Sequence, residues 1–228
     1  MAASQPPLTL IVAATAKNGI GKNGGLPWPM LKKEMAYFAR VTKRVPPQTD
    51  PSASRSNTST SSHSTDAKQA QNVVIMGRKT WDSIPPRFRP LKDRTNLIIT
   101  RQSASTFARH DDVVVADSIE AGLADLRARE QKGTVKPLGR VFVIGGSSIY
   151  DAALRMPNAR HVLLTRIAEE YECDTYFSVD VERGEGWRKK GRDELEEFVG
   201  ERVDEGDVVE EVDGRRIGYQ FRLYERAT

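Results

Sequence analysis

Apolar and polar positions alternate between two periods along this chain. Leu8 to Ala14 is an apolar run bounded by Pro-Pro and by Lys-Asn-Gly, a buried strand by its length. A glycine-rich loop follows to Trp28. After Pro29, the residues Leu31, Met35, Phe38 and Val41 recur at helical spacing and predict a helix to about Lys43. Further apolar segments predict strands at Asn72 to Met76, Thr95 to Thr100, Val113 to Ala116, Val141 to Ile144 and His161 to Ile167. Helices are expected from Gly77 onward, after Asp117 on the face of Ile119, Leu123 and Leu126, and from Gly145 onward. Asp117 and Glu120 have capping-box spacing. Asp213-Gly214 marks a turn, and Tyr219, Phe221 and Leu223 alternate beyond it as one arm of a hairpin.

Strands that alternate with helices imply an α/β fold. We expect a mostly parallel central sheet, an antiparallel C-terminal hairpin and helices on both faces. Val45 to Gln71 interrupts the pattern with Pro, Ser, Thr, Asp and Asn and almost nothing apolar. Such a stretch cannot bury enough surface to offset its ordering entropy, so it reads as a disordered insertion at about 45–71. The strand and helix before it are too little for a domain. The expectation is therefore one domain, 1–228, interrupted by that insertion.

Composition narrows the class. The chain has 228 residues, 38% hydrophobic and 29% charged, with a net charge of +4. No apolar run approaches membrane-spanning length. Met1 to Pro7 lacks the layout of a secretory signal. Cys173 is the single cysteine, which rules out an internal disulfide and suits a reducing compartment. No Cys pair or spaced His pair offers a metal site. The positive charge is dispersed, the region from Asp193 to Asp213 is strongly acidic and aromatics are only 7%. A nucleic-acid partner is therefore not required, and a local site for a phosphorylated small molecule explains the excess as well.

Three features carry candidate chemistry. Glu34 sits inside the apolar stripe of its helix, three residues after Leu31 and four before Phe38. Such a carboxylate is paired, neutralised or used. Taken alone, it reads more readily as a structural ion pair or a side chain that snorkels to the surface. The other two features are strand-to-helix junctions, Gly77-Arg78-Lys79-Thr80 and Gly145-Gly146-Ser147-Ser148. Each offers free N–H groups at a helix start, which suit an anion. Either alone is most simply a tight turn; together they suggest a diphosphate held between helix N-termini. Neither fits a P-loop, and no G-x-G-x-x-G fingerprint opens a helix.

In order and spacing, the chain resembles the dihydrofolate reductase family. The matching blocks are Ile11 to Ala14, Gly19-Ile20-Gly21 through Leu26-Pro27-Trp28-Pro29 with Glu34, and Val74 to Trp81 with Ser83-Ile84-Pro85. Further blocks are Arg89-Pro90-Leu91 with Arg94, Val143 to Tyr150, Leu164 to Ile167, and Tyr219 to Glu225. The resemblance covers essentially everything except Val45 to Gln71, and the longer loops suit a eukaryotic, fungal type. It implies NADPH-dependent reduction of 7,8-dihydrofolate to tetrahydrofolate, with hydride to C6 and a proton to N5 of the pterin. It also implies a cytoplasmic monomer that supplies one-carbon metabolism and binds antifolates, with a mitochondrial pool left open. Two other readings compete with it: an NADPH-dependent reductase of a riboflavin precursor, and a non-catalytic, nucleic-acid-binding protein on the same scaffold. The first gives no reason for Trp28-Pro29 with Glu34 or for Arg94. An intact Glu34, Tyr150 and Gly145-Gly146 argue against the second.

The resemblance also assigns roles. Glu34 would hydrogen-bond the 2-amino and N3 positions of the pterin, with Thr165 as its hydroxyl partner and Trp28 holding a water nearby. Tyr150 would close the pocket near the nicotinamide. Ile11, Val12, Met35, Phe38, Ile84, Leu91 and Ile144 would line the substrate cavity, and Arg94 would bind the α-carboxylate of the glutamate tail. Met35 stands where many relatives carry an aromatic or Leu. For NADPH, Arg78 and Arg101 with Thr100 would hold the 2′-phosphate. Lys79, Thr80, Gly146, Ser147 and Ser148 would hold the pyrophosphate. Ala13, Ile20, Gly77, Gly145, Ile149 and Tyr150 complete the cofactor set, with a cis peptide expected between Gly145 and Gly146. Asn18 to Gly25 would gate the nicotinamide site.

Overall fold

The computed structural model describes residues 5–46, 70–103, 105, 107 and 112–227. Most of the expected insertion, and with it the expectation of disorder, lies outside these residues. The predicted strands form one sheet. Its elements are β1 (Leu8–Ala14), β3 (Gln71–Gly77), β4 (Arg94–Ile99), β5 (Val113–Ala116), β6 (Leu138–Val143) and β7 (Ala159–Ile167), with β10 (Val208–Val212) and β11 (Arg215–Arg226). The order is β10-β11-β7-β1-β6-β3-β4-β5. Pairings from β7 through β5 are parallel, and β11 runs antiparallel to both β7 and β10. Gln71, placed in the insertion by sequence, is the buried first residue of β3.

Strand residues segregate by parity, as the pleat requires. Leu8, Leu10, Val12 and Ala14 of β1 enter one apolar cluster with Val73, Ile75, Leu97, Val141 and Val143. Ile11, Val74, Met76, Ile98 and Phe142 enter the other. Helices α3 (Ile119–Gln131) and α4 (Ser147–Leu154) cover the first face. Helices α1 (Lys32–Lys43), α2 (Arg78–Ser83) and α5 (Arg192–Val199) cover the second. Burying both faces explains why these strands read as continuous apolar runs.

Several local expectations change. Met35 does not belong to the buried stripe of α1; it is 43% exposed, and Tyr37 takes the inward place at 3%. Tyr37 stacks on Phe221 of β11 at 3.7 Å between ring centroids, so the partner strand chooses the helix face. The cap of α3 is Ser118, whose Oγ accepts the Ala121 N–H at 3.2 Å, one residue beyond the expected Asp117. Sequence reading also missed α5 and three short strands: β2 (Gly19–Gly21), β8 (Thr175–Tyr176) and β9 (Trp187–Lys189). The β2–β8 pair fastens the glycine-rich loop to the chain beyond β7.

Candidate active site

Glu34 lies in the first turn of α1, which packs over the second face beside β1, β7 and β11. It is 8% exposed. The Thr165 hydroxyl on β7 donates to its Oε1 at 3.1 Å, and no described cation forms an ion pair with it. Burial pushes the carboxyl up to about 7; the nearby Glu210 adds to this and the Thr165 hydrogen bond opposes it. The structure therefore removes the bland readings: Glu34 is neither salt-bridged nor snorkelling.

The apolar residues expected around it converge. Ile11 is buried in the second cluster, and Phe38, Ile84, Leu91 and Ile144 pack half-buried against it. Val12 instead points into the first cluster, because it is one residue out of phase with Ile11. Tyr150 is 5% exposed and donates from its hydroxyl to the Ile11 carbonyl at 2.7 Å. Burial, with Glu34 second, holds that hydroxyl well above its ordinary range, so it stays neutral. Trp28 is buried with Leu31, Ile167 and Tyr219, edge-on to Tyr171.

Arg94 opens β4 and is only 4% exposed. Its Nε donates to the Lys92 carbonyl at 3.0 Å and its Nη1 to the Thr42 hydroxyl at 2.8 Å. No described carboxylate pairs with it, although burial pulls its guanidinium down to about 10. A buried, charged fork lacking an acidic partner suits an incoming carboxylate. Thr42, which aims it, was not singled out by sequence.

The two glycine junctions lie side by side because β3 and β6 are neighbours. The Gly77 N–H donates to the Gly145 carbonyl at 2.8 Å. A Cβ on Gly77 would stand 3.0 Å from Ile149 Cγ1, and one on Gly146 would stand 3.4 Å from Thr80 Oγ1. Gly145 has φ of 111°, in the region that favours glycine, and its bond to Gly146 is cis, as the resemblance implies. Neither α2 nor α4 has a side-chain cap, so both helix starts keep their N–H groups for an anion. Ser147 is half-buried and Lys79 and Ser148 are exposed at these starts. The β3–β4 register, with Gly77 opposite Ile99, brings Arg78 and Thr100-Arg101 to the same edge. Arg78 pairs with Asp82 at 2.5 Å, and Arg101 is exposed. This donor set fits a dinucleotide with a pyrophosphate and a further phosphate.

A family model described as dihydrofolate reductase matches residues 64–200. The dihydrofolate reductase of Cryptococcus neoformans var. neoformans is 36% identical over 245 residues, covering 97% of this chain and 95% of that one. That of Pneumocystis carinii is 37% identical over 225 residues, covering 97% and 98%. The chain belongs to the dihydrofolate reductase family. The solved dihydrofolate reductase of Schistosoma mansoni superposes with a TM-score of 0.69 at 29% identity, covering 98% of this chain and 100% of that one. Dihydrofolate reductases reduce dihydrofolate to tetrahydrofolate with NADPH, and this chain is an oxidoreductase of that kind.

Within this reductase, the loop from Asn18 to Gly25 is tied down by groups that the sequence did not announce. Arg166 donates to the Thr15 carbonyl and, at 3.1 Å, to Asn18 Oδ1, and pairs with Glu182 at 2.6 Å. The Asn23 N–H donates to Asp174 at 2.7 Å. Ile20 and Ala13, both half-buried, lie at the base of this loop and at the end of β1. Among the described residues, no cluster of His, Cys, Asp and Glu could hold a metal ion. No described helix is long and apolar enough to cross a membrane.

Proposed function

We propose that α1, the β6–α4 junction and the residues following α2 together form the active site, with Glu34 handling the proton of the reduction. The buried Glu34 carboxyl, shifted to about 7 with one hydroxyl partner, carries this reading. An ordinary carboxylate is almost fully ionised at neutral pH, whereas burial favours the protonated form of this one, so that it can both bind and give a proton. Its oxygens would take the 2-amino and N3 hydrogens of the pterin, with Thr165 fixing the carboxyl plane. Trp28 would hold the water through which the proton reaches N5.

When bound, NADPH supplies the hydride that reaches C6. Lys79, Thr80 and the Gly146 to Ser148 turn would hold its pyrophosphate. Arg78, Thr100 and Arg101 would hold its 2′-phosphate, and Ala13, Ile20, Gly77, Gly145, Ile149 and Tyr150 would surround the rest. Ile11, Met35, Phe38, Ile84, Leu91 and Ile144 would exclude water from the pterin and aminobenzoate, with Met35 on the exposed rim. Val12, facing the opposite layer, would act through its backbone. Arg94 would bind the α-carboxylate of the glutamate tail. We read the chain as a single-domain, monomeric enzyme with the 45–71 segment as an insertion, because one sheet and the segments that join its strands carry every group named here. The lone cysteine supports a reducing, cytoplasmic setting. Antifolates would compete for the Glu34 pocket.

The test is the loss of NADPH absorbance when dihydrofolate is added, with and without methotrexate. Parent enzyme should show methotrexate-sensitive turnover, and Glu34→Gln should fold but show almost none. Near-normal turnover in Glu34→Gln would remove Glu34 from the chemistry.

A further inference from the structure

Helix α1 begins without a cap of its own, since Leu31 at the capping position has no side-chain acceptor. Its first N–H groups reach across to Glu210 on β10. The Lys33 N–H lies 3.0 Å from each Glu210 carboxylate oxygen, and the Glu34 N–H lies 3.3 Å from Oε1. The Tyr219 hydroxyl on β11 donates to the same Oε1 at 2.6 Å. Glu210 is 8% exposed and Tyr219 is fully buried. A second nearly buried carboxylate thus anchors the turn that carries Glu34.

The two carboxylates have different surroundings, which push them in opposite directions. Burial alone would raise Glu210, but the Tyr219 hydroxyl and the N–H groups of Lys33, Glu34 and Lys32 outweigh it and hold it below the usual carboxylate range. Among the described residues, Thr165 is the one side-chain donor to Glu34. A fixed anion at this helix start also offsets the positive dipole end, which would otherwise favour an ionised Glu34.

We propose that Glu210, held by Tyr219, is a positioning residue for the reduction: it fixes the first turn of α1, and its standing charge biases Glu34 toward keeping its proton. This inference rests on the reading of Glu34 as the proton-handling group. Other charged groups lie near this turn: Arg40 of α1, with Glu201, Arg202 and Asp204 of the segment before β10, line the same hollow as Lys33 and Tyr37, and Glu201 and Arg40 pair with each other. On α1 the side chains of Lys32 and Lys33 are exposed. From β7 comes Thr165, from β11 Tyr219, and Asp204 before β10 acts on Tyr219. Tyr37 and Tyr150 feel Glu34's charge, and burial first of all keeps both phenols neutral.

The experiment follows Glu34 by two readouts across the neutral pH range. One is the single-turnover hydride-transfer rate. The other is a carbon-13 titration of glutamate carboxyls, with the Glu34 signal assigned by its loss in Glu34→Gln. Glu210→Gln keeps an acceptor oxygen but removes the charge, so both midpoints should move to lower pH, by about half a unit or more. Tyr219→Phe removes a donor and leaves the charge less neutralised, so both should move to higher pH. A merely structural cap gives no such opposed pair. If Glu210→Gln lowers the melting temperature while the Glu34 midpoint stays in place, Glu210 is only a cap and the proposal is overturned. If Glu210→Gln does not fold, Tyr219→Phe decides alone: an upward shift supports the proposal and no shift overturns it. Should the carboxyl midpoint move without the rate, the coupling stands and the assignment of Glu34 to the chemistry falls.

Discussion

Thr165 and Glu34 stand 131 residues apart in the chain, and a 3.1 Å hydrogen bond joins them. The bond crosses from β7 to α1, so it forms only when the sheet and its covering helix are both in place. It opposes the burial that raises the Glu34 carboxyl. Thr165→Val keeps the shape and removes the donor. We expect the alkaline limb of the rate profile to move to higher pH. Substrate affinity should fall by about 1–3 kcal/mol, the cost of losing a buried hydrogen bond to a charged group. The hydride-transfer rate and dihydrofolate binding, each measured against pH, check the two.

Glu34 should cost the folded protein stability. Its carboxyl is raised from 4.5 to about 7, so between those values the native state binds more protons than the unfolded chain. Stability then falls as pH rises through this window, by about 3 kcal/mol at most. Glu34→Gln should therefore be more stable than the parent at mildly alkaline pH, and should lose that advantage at acid pH. Denaturant unfolding at both pH values checks the sign. A variant equally or less stable at alkaline pH would mean the carboxyl is not desolvated.

Arg94→Ala should weaken dihydrofolate binding by about 2–4 kcal/mol, the range for losing one member of a desolvated charge pair. Thr42→Val, which removes the 2.8 Å contact that aims the guanidinium, should weaken it less. A pterin without the glutamate tail should bind parent and Arg94→Ala alike. Equal losses for both ligands would make Arg94 structural.

Replacing Arg78 and Arg101 by Ala should weaken NADPH and leave NADH nearly unchanged. Asp82 competes with a phosphate for Arg78, since the two pair at 2.5 Å. Asp82→Asn should therefore strengthen NADPH binding, by up to about 1 kcal/mol for an exposed pair. Cofactor titrations with both dinucleotides distinguish this from a general effect on the fold.

Exchanging Pro47 to Ala70 for a short Gly-Ser link should preserve fold and activity. The segment joins α1 to β3 and has neither a helical stripe nor strand alternation. Loop-closure cost changes by only about 0.6 kcal/mol per doubling of length, so a shorter loop should stabilise slightly. A folded deletion variant with a large rise in KM for dihydrofolate would place the insertion at the substrate mouth.

The sequence by itself determined what depends on neighbours along the chain. Runs such as Leu8 to Ala14 and Val141 to Ile144 had to be buried strands, because their residues are apolar at both parities. The glycines at 77 and 145–146 marked strand-to-helix junctions, because each follows an apolar run and opens a polar stretch; of the three, Gly145 alone has the positive φ that favours glycine. Glu34 was visible as an anomaly because it interrupts a periodic stripe. The short α5 was obscured: its Leu195 and Val199 are correctly spaced, but they sit inside an acidic run that read only as charge.

Only the tertiary structure decided which side of each element faces a partner. Tyr37 rather than Met35 turns inward because Phe221 of β11 waits there. Nothing beside Arg94 in the chain marks it for burial; it is buried because Thr42 and the Lys92 carbonyl receive it. The cap of α1 comes from Glu210, 176 residues away, and no local pattern could announce it. A carboxyl's affinity for its proton depends on every dipole and charge packed around it, and that packing is a property of the folded chain alone.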